Sequence, residues 1–195
     1  LFMYREQIEQ WFEDHREEMV KDIMDLVAIP SVDGEALPGK PYGEGPAAAL
    51  DAALKLAEQY GFTDVKNVDN YVGTITMGEG DVQLAMLAHL DVVPAGKGWS
   101  VCEPFVPVVK DGLIYGRGSS DDKGPAVASL YALRCVKELS LPMKHKARLI
   151  LGTAEETGSS DIEYYLKKES TPPMVFSPDG DYPILNTDQG QLRPD

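Results

Sequence analysis

The stretch Val82-Gln-Leu-Ala-Met-Leu-Ala-His-Leu-Asp-Val-Val93 is the part of this sequence that decides the fold. Apart from Gln83, its polar residues are His89 and Asp91, which stand close to its end. A nearly continuous apolar run of this length predicts a central β-strand that is covered on both faces. The histidine and the aspartate therefore lie where a buried strand is expected to end.

Two further apolar runs end in the same way. RLILGTAEE (148–156) predicts a buried strand over Arg148–Thr153 followed by Glu155 and Glu156, and MVFSPD (174–179) predicts a strand followed by Asp179. In open α/β sheets, ligands bind in the crevice beyond the carboxyl ends of the strands. We therefore expect these acids and His89 to meet at one edge of a sheet.

The remaining patterns place helices between these strands. Apolar spacing of three and four residues predicts helices, and shorter extended runs predict strands. The predicted helices are a long amphipathic helix from Ile8 to Val27 ended by Pro30, Ala47–Tyr60, Pro125–Leu139 and Ser160–Lys168 with a Ser160-x-x-Glu163 capping box; the further strands are Tyr71–Met77, a hairpin within Phe105–Tyr115 and Met174–Pro178. This order predicts an α/β fold, a three-layer sandwich with a mostly parallel central sheet.

Composition excludes several classes of function. The chain has 195 residues, 43% of them hydrophobic, and a formal net charge of -14. That acidity argues against nucleic-acid binding, and no apolar run is long enough to span a bilayer. The charged N-terminus lacks the features of a signal peptide, which favours a cytoplasmic protein. The oligomeric state is left open.

Cysteine chemistry is disfavoured by the same count. The two cysteines, Cys102 and Cys135, are far apart, and no C-x-x-C occurs. This argues against a disulfide framework, a thiolate zinc site and a catalytic thiol. Serine hydrolysis also lacks support, because there is no G-x-S-x-G motif.

The glycine-rich loop GRGSSDDKG (116–124) supplies another acid, Asp121, just before a helical pattern. It fits neither the G-x-G-x-x-G fingerprint nor the P-loop, and acids beside a helix start repel phosphate. A carboxylate held by such a loop suits a metal ion. Either Asp121 or Asp122 could instead be an ordinary helix cap.

Each of these signals is weak when it is taken alone. His89-x-Asp91 could be a buried histidine with a nearby acid, Glu155-Glu156 two solvated acids, and Asp179 a turn residue. Together they predict a metal centre, because mixed imidazole and carboxylate ligands suit zinc or a similar ion. We expect Glu155 and Glu156 to point to different sides and to have different roles.

The motifs HLDVVPAG, YGRGSSDDKG, AEETGSSD and SPDG, in this order, resemble those of the co-catalytic di-zinc metallopeptidase family. That family includes aminoacylases, acetylornithine deacetylase, succinyl-diaminopimelate desuccinylase, glutamate carboxypeptidase and dipeptidases. The segment Gly98–Phe105 and the sequence DDKGP make the chain most similar to PepV-type dipeptidases. The resemblance covers nearly the whole chain.

The resemblance implies a role for each candidate residue. It implies two zinc ions, with cobalt or manganese as possible substitutes, and a cis peptide bond between Asp121 and Asp122. The implied metal ligands are His89 and Asp179 for the first zinc, Asp121 as the bridge and Glu156 for the second zinc; the implied catalytic residues are Asp91, which orients His89, and Glu155, the general base.

The implied reaction is hydrolysis of the peptide bond of a dipeptide, a small-molecule substrate. An N-acyl-amino-acid deacylase with the same metal centre is one alternative, and a non-catalytic binding module that keeps the fold is another. The family usually takes a further histidine for its second zinc from far downstream, and no histidine follows Asp179. Residues 1–195 are therefore expected to form the N-terminal part of a catalytic domain, without the lid domain, and to be inactive alone.

Overall fold

The chain is described here by a computed structural model that covers residues 2–180. Apart from one additional strand at Asp64–Val68, its helices and strands follow one another in the order that the sequence predicts. The strands are β1 (Asp64–Val68), β2 (Val72–Met77), β3 (Val82–His89), β4 (Val108–Lys110), β5 (Leu113–Tyr115), β6 (Lys146–Gly152) and β7 (Met174–Phe176). The helices are α1 (Arg5–Asp14), α2 (Arg16–Val27), α3 (Glu44–Gln59), α4 (Lys123–Glu138) and α5 (Ser160–Leu166), with 3-10 turns at Phe2–Tyr4 and Glu155–Thr157.

Five of the strands form one mixed sheet in the order β1-β2-β6-β3-β7. Strand β3 pairs in parallel with β6 and with β7, whereas β2 is antiparallel to both β1 and β6. The α/β fold is confirmed, and the parallel half of the sheet is the half whose strand ends carry the candidate site. Because β3 lies between two parallel partners, His89 stands directly opposite Gly152 at one edge.

Strand β1 is the element that the sequence did not predict. Its sequence, DVKNV, has few apolar residues, and none of its residues is fully buried. It forms by pairing with β2 through a tight turn at Asp69 and Asn70, whose φ angles of 55° and 59° suit these two residue types. An edge strand of this kind depends on its partner more than on its own hydrophobicity.

Alternation along the strands divides the core into two faces. Ile75, Met86 and Leu149 face a large cluster with the helices α1–α4, whereas Ala85 and Ile150 face a smaller cluster that includes Tyr165 of α5. The elements thus pack in three layers, with helices α1–α4 on one face of the sheet and α5 on the other. Each fully buried leucine or isoleucine stabilises the fold by about 1.5–3 kcal/mol relative to exposure.

Helix α3 lies unusually close to the sheet at Gly73. A Cβ atom added there would stand 2.6 Å from Leu50 Cδ1 and 2.9 Å from Leu54 Cδ2. The absence of a side chain at Gly73 therefore lets both leucines pack directly on the backbone of β2.

Three local predictions need correction or comment. The long N-terminal helix is interrupted at His15, where α1 ends and α2 begins. The Ser160-x-x-Glu163 capping box does not form, because Ser160 is already helical and its Oγ lies 2.7 Å from the Tyr42 hydroxyl. The hairpin around Asp111-Gly112 is confirmed as the β4–β5 pair.

No helix among residues 2–180 is long and apolar enough to cross a membrane. The stretch Pro183–Asp195, for which the sequence indicated little periodicity, lies outside the described residues. So does Asp181, a weaker candidate for the site than Asp179.

Candidate metal centre

The imidazole of His89 is held in one orientation by its surroundings. It is the last residue of β3 and only 3% exposed. Its Nδ1 lies 3.1 Å from the Asp91 carbonyl oxygen and 3.3 Å from Asp91 Oδ1, and its backbone N–H donates to Asp122 Oδ2 at 2.9 Å. With Nδ1 engaged by Asp91, Nε2 is the nitrogen that remains for a ligand.

Carboxylates from three separate segments surround Nε2 of His89. Asp121 Oδ1 lies 3.0 Å away, Asp179 Oδ2 3.3 Å and Glu155 Oε2 3.8 Å. These acids come from the loop before α4, the end of β7 and the turn after β6. The structure therefore brings together residues as far apart in the sequence as His89 and Asp179, which are separated by 90 positions.

The spacing of these donor atoms fits a divalent cation. Ligands about 2.0–2.1 Å from a tetrahedral zinc ion stand about 3.3 Å from one another. The separations of His89 Nε2 from Asp121 Oδ1 and Asp179 Oδ2, 3.0 Å and 3.3 Å, are close to that value. The candidate ligating atoms of His89, Asp121 and Asp179 all lie within 4.8 Å of one another.

Glu155 and Glu156 approach the same imidazole. They lie in the 3-10 turn after β6, and one oxygen of each lies within 4.8 Å of a His89 nitrogen. The prediction that they point to different sides is wrong, because the chain has already left the extended conformation at Ala154. The fully buried Asp91 holds this turn: its Oδ1 accepts from Glu155 N–H at 3.1 Å and its Oδ2 from Glu156 N–H at 3.0 Å.

The two residues after Asp121, Asp122 and Lys123, are buried beside the candidate site, and the sequence did not indicate the contacts that they make. Asp122 occupies the N-cap position of α4, but its side chain bonds the backbone of His89 instead of capping the helix. Lys123 is fully buried and donates to the Ile29 carbonyl oxygen at 2.6 Å. The consecutive charges of Asp-Asp-Lys in a glycine-rich loop were the signal for them. The peptide bond between Asp121 and Asp122 is cis, as the resemblance implied.

The excess of acids alters the proton affinity of the centre. Burial disfavours the charged imidazole, but Asp91, Asp122 and Asp179 outweigh it and raise the pKa of His89 to about 10. Burial, helped by the charge of Asp179, raises the pKa of Asp122 to about 7. When no cation is bound, bound protons on His89 and Asp122 thus balance part of the negative charge of the surrounding carboxylates.

The two glutamates and the neighbouring lysine are shifted as well. Burial raises the pKa of Glu155 and of Glu156 above the usual value for glutamate. Burial lowers the pKa of Lys123 to about 7. A glutamate with a raised pKa is a better proton acceptor than an ordinary surface carboxylate, which suits a general base.

The other histidines and the cysteines lie in structural surroundings. His15 stacks on Trp11 with ring centroids 4.0 Å apart, and His145 is exposed just before β6, at the opposite end of that strand from Glu155. Cys135 is buried in α4, and Cys102 is a partly exposed free thiol. None of these residues belongs to the groups of candidate metal ligands among residues 2–180.

Comparison with known proteins now assigns the family. The sequence profile of peptidase family M20/M25/M40 matches residues 85–190, which include every candidate residue of the site. This match covers more than half of the chain, and the chain belongs to this peptidase family.

Individual relatives agree with this assignment. The chain is 45% identical over 177 residues to a putative dipeptidase, YtjP, of Bacillus subtilis (strain 168), and 44% identical over 181 residues to the Beta-Ala-Xaa dipeptidase of Lactobacillus delbrueckii subsp. lactis. These alignments cover 90% and 91% of the chain, which spans 38% of the length of each relative. The fold is similar to that of human carnosine dipeptidase 1, with a TM-score of 0.78 at 24% identity, over 92% of this chain and 42% of that one.

Proposed function

We propose that the protein of which these residues form the N-terminal part of the catalytic domain is a zinc-dependent dipeptidase. The observation that carries this proposal is the convergence of three acids on the Nε2 atom of His89, in a chain of a peptidase family. The names of the two relatives support dipeptides as substrates.

In this proposal the candidate ligands divide between two metal ions. His89 and Asp179 would hold the first, Asp121 would contribute to both, and Glu156 would hold the second. The donor separations around His89 support the first position. For the second, residues 2–180 supply Asp121 and Glu156, and we propose that the remaining ligand is a histidine beyond residue 195.

Glu155 is the residue that moves the proton. Bound divalent cations supply positive charge that acidifies a water molecule and polarises the substrate carbonyl. Glu155 accepts the proton of that water on a carboxylate oxygen and later donates it to the leaving amine. Its Oε2 lies 3.8 Å from His89 Nε2, so it borders the candidate metal position. Asp91 contacts both the imidazole of His89 and the backbone of the turn that carries Glu155 and Glu156, and so holds the two in a fixed relative position.

Replacement of Glu155 by Gln in the full-length protein tests this role. The amide keeps the size of the side chain but cannot accept the proton, so turnover of dipeptides should fall by about 10²–10⁴-fold. Zinc content, measured by elemental analysis of the purified protein, should stay unchanged, because Glu155 is not a ligand in this proposal.

Glu163→Gln is the matched control, since Glu163 is an exposed acid of α5. This variant should keep the wild-type turnover. Wild-type turnover in Glu155→Gln would contradict the assignment of the general base.

The substrate class is tested separately with the wild-type protein. Dipeptides and N-acetyl amino acids should be assayed side by side, with kcat/KM as the measure. A higher kcat/KM for dipeptides supports the proposal, whereas a higher value for N-acetyl amino acids would make the protein a deacylase with the same metal centre. Absence of both turnover and zinc binding would indicate a binding module that keeps the fold.

A further inference from the structure

Four consecutive backbone N–H groups after β6 are all bound by buried carboxylates. Those of Glu155 and Glu156 donate to Asp91, as described above. Those of Thr153 and Ala154 donate to a second acid, Asp161, at 2.6 Å and 3.1 Å. The turn that carries both glutamates is thus held along its length by two aspartates from different parts of the chain.

Asp161 reaches this turn from the first turn of α5. It is fully buried, and its Oδ1 accepts from its neighbour Ile162 N–H at 2.8 Å while Oδ2 accepts from the two N–H groups of the turn. Its carboxylate also lies against Gly152, where an added Cβ would stand 2.6 Å from Oδ2. Gly152 pairs with His89 across the parallel strands. The carboxylate of Asp161 therefore lies against the residue that stands opposite His89 in the sheet.

These contacts require a group that only accepts hydrogen bonds. A carboxylate can accept from all three N–H groups, whereas an asparagine would turn its NH₂ group towards at least one of them. Asp161 does not belong to either group of candidate metal ligands among the described residues. Its partners are three backbone N–H groups, and it takes part in no ion pair within residues 2–180.

We propose that Asp161 is a positioning residue, which fixes the turn so that Glu155 and Glu156 face His89. This inference rests on the proposed function. It adds a residue that touches neither substrate nor metal and acts through the backbone of the turn. The capping-box pattern had drawn attention to Ser160 and Glu163, but the acid between them is the one that the fold uses.

The test is Asp161→Asn in the full-length protein. The neutral amide oxygen accepts from the N–H groups of Thr153 and Ala154 more weakly than the carboxylate does, so the turn should shift, and kcat for dipeptides should fall by about 10–100-fold while KM stays close to wild type. Zinc content should fall from about two ions per chain to about one, because Glu156 leaves the second position while the first position keeps its ligands. Hydrogen exchange of peptides spanning residues 150–158 should become faster.

Asp69→Asn is the matched control. Asp69 is an exposed acid that accepts hydrogen bonds from Tyr164 and Lys168, so it secures the same helix from its outer side without touching the turn. We expect wild-type kcat and zinc content for this variant. A structural role alone would make Asp161→Asn resemble this control, with a lower melting temperature but normal kcat per folded molecule, and that result would overturn the inference.

A second variant decides the question if Asp161→Asn does not fold. Gly152→Ala keeps the carboxylate but places a methyl group 2.6 Å from Oδ2, which pushes it off the turn. A lowered kcat with unchanged KM supports the inference, and a wild-type kcat refutes it. Should the wild-type protein bind no metal and hydrolyse no dipeptide, the proposed function fails, and hydrogen exchange at 150–158 in the variants still shows whether Asp161 holds the turn.

Discussion

The imidazole of His89 lies among more negative charge than its own proton can balance. In the absence of metal, the raised pKa values of His89 and Asp122 mean that the folded protein binds protons more tightly than the unfolded chain. A divalent cation supplies the same compensation with two charges. Proton binding and metal binding at this centre should therefore compete.

This competition predicts how stability depends on pH. Stabilisation from protonated His89 is fully present below its ordinary pKa of 6.5 and is lost as the pH rises through about 10. That from protonated Asp122 is present below 3.8 and is lost as the pH rises through about 7. The melting temperature of the full-length protein freed of metal by a chelator should thus fall as the pH rises from about 5 to 9.

Differential scanning fluorimetry across this range measures the effect. Added zinc should raise the melting temperature more at the alkaline end of the range than at the acidic end. The variant His89→Gln, which lacks the titrating ring, should show a weaker dependence on pH. A melting temperature that rises with pH in the metal-free wild type would contradict this account.

For individual residues, the sequence identified the candidate ligands and the candidate base, but not the residues that hold them in place. His89, Asp91, Asp121, Glu155, Glu156 and Asp179 were all singled out, and the structure places the other five around the imidazole of His89. Their roles as ligands and base stay predictions. Asp161 was missed, because a buried acid that binds backbone N–H groups has no spacing rule that could reveal it.

Helices α2 and α4 pack through a buried polar contact as well as through apolar side chains. Asp22 of α2 is 8% exposed, and its Oδ2 accepts from Tyr60 OH at 2.5 Å and from Tyr131 OH at 2.6 Å. Arg134 of α4 lies over the ring of Tyr60 at 3.7 Å. The contact joins α2, α4 and the end of α3 behind the sheet.

Asp22→Ala should destabilise this layer of helices. Without this acceptor, the hydroxyls of the buried Tyr131 and the half-buried Tyr60 keep only each other as a partner, which should lower the free energy of unfolding by about 1–3 kcal/mol. Urea unfolding of the full-length protein, followed by tyrosine and tryptophan fluorescence, measures the change.

The matched control is Asp25→Ala on the same helix, because Asp25 forms only an exposed ion pair with Lys21. Exposed pairs contribute little to stability, so its unfolding midpoint should match that of the wild type. Equal midpoints for the two variants would show that the buried contact does not stabilise the fold.

Elements with a strong apolar period were the ones that the sequence predicted. The run at Val82 became β3, and the three- and four-residue spacing became α2 and α3. Strand β1 escaped prediction, because its stability comes from hydrogen bonds to β2 and not from burial of its own side chains. The antiparallel pairing of β2 with β6 was missed for another reason, because the apolar pattern of a buried strand does not show its direction in the sheet.

The described part of the protein leaves apolar surface at one edge of its sheet. Met174, Val175 and Phe176 of β7 are 56%, 44% and 48% exposed, and Asp179 stands three residues after Phe176. Among residues 2–180, the candidate metal ligands form two groups, His89 with Asp121 and Asp179, and His89 with Glu155 and Glu156, so both groups share one imidazole. With a single imidazole shared by both groups, the described residues offer fewer ligands than the two proposed metal ions need.

We expect the 195-residue chain, purified alone, to bind zinc without hydrolysing dipeptides. Isothermal titration with zinc and a dipeptide assay under the same conditions measure the two properties, with the full-length protein as the positive control. The variant His89→Gln should remove zinc binding and thereby show that the bound ion occupies the described site. Zinc-dependent turnover by the 195-residue chain at the rate of the full-length protein would contradict this expectation.

The sequence by itself determined where the strongly apolar strands and helices lie and which acids follow the strand ends, because both depend on local periodicity of apolar residues. It also determined the family, through motifs whose order is a property of the chain. Only the tertiary structure decided which of these acids face His89 and which hold the backbone. Those contacts join residues 32, 33 and 64 positions apart, and their geometry depends on strand pairing and burial that no local pattern contains.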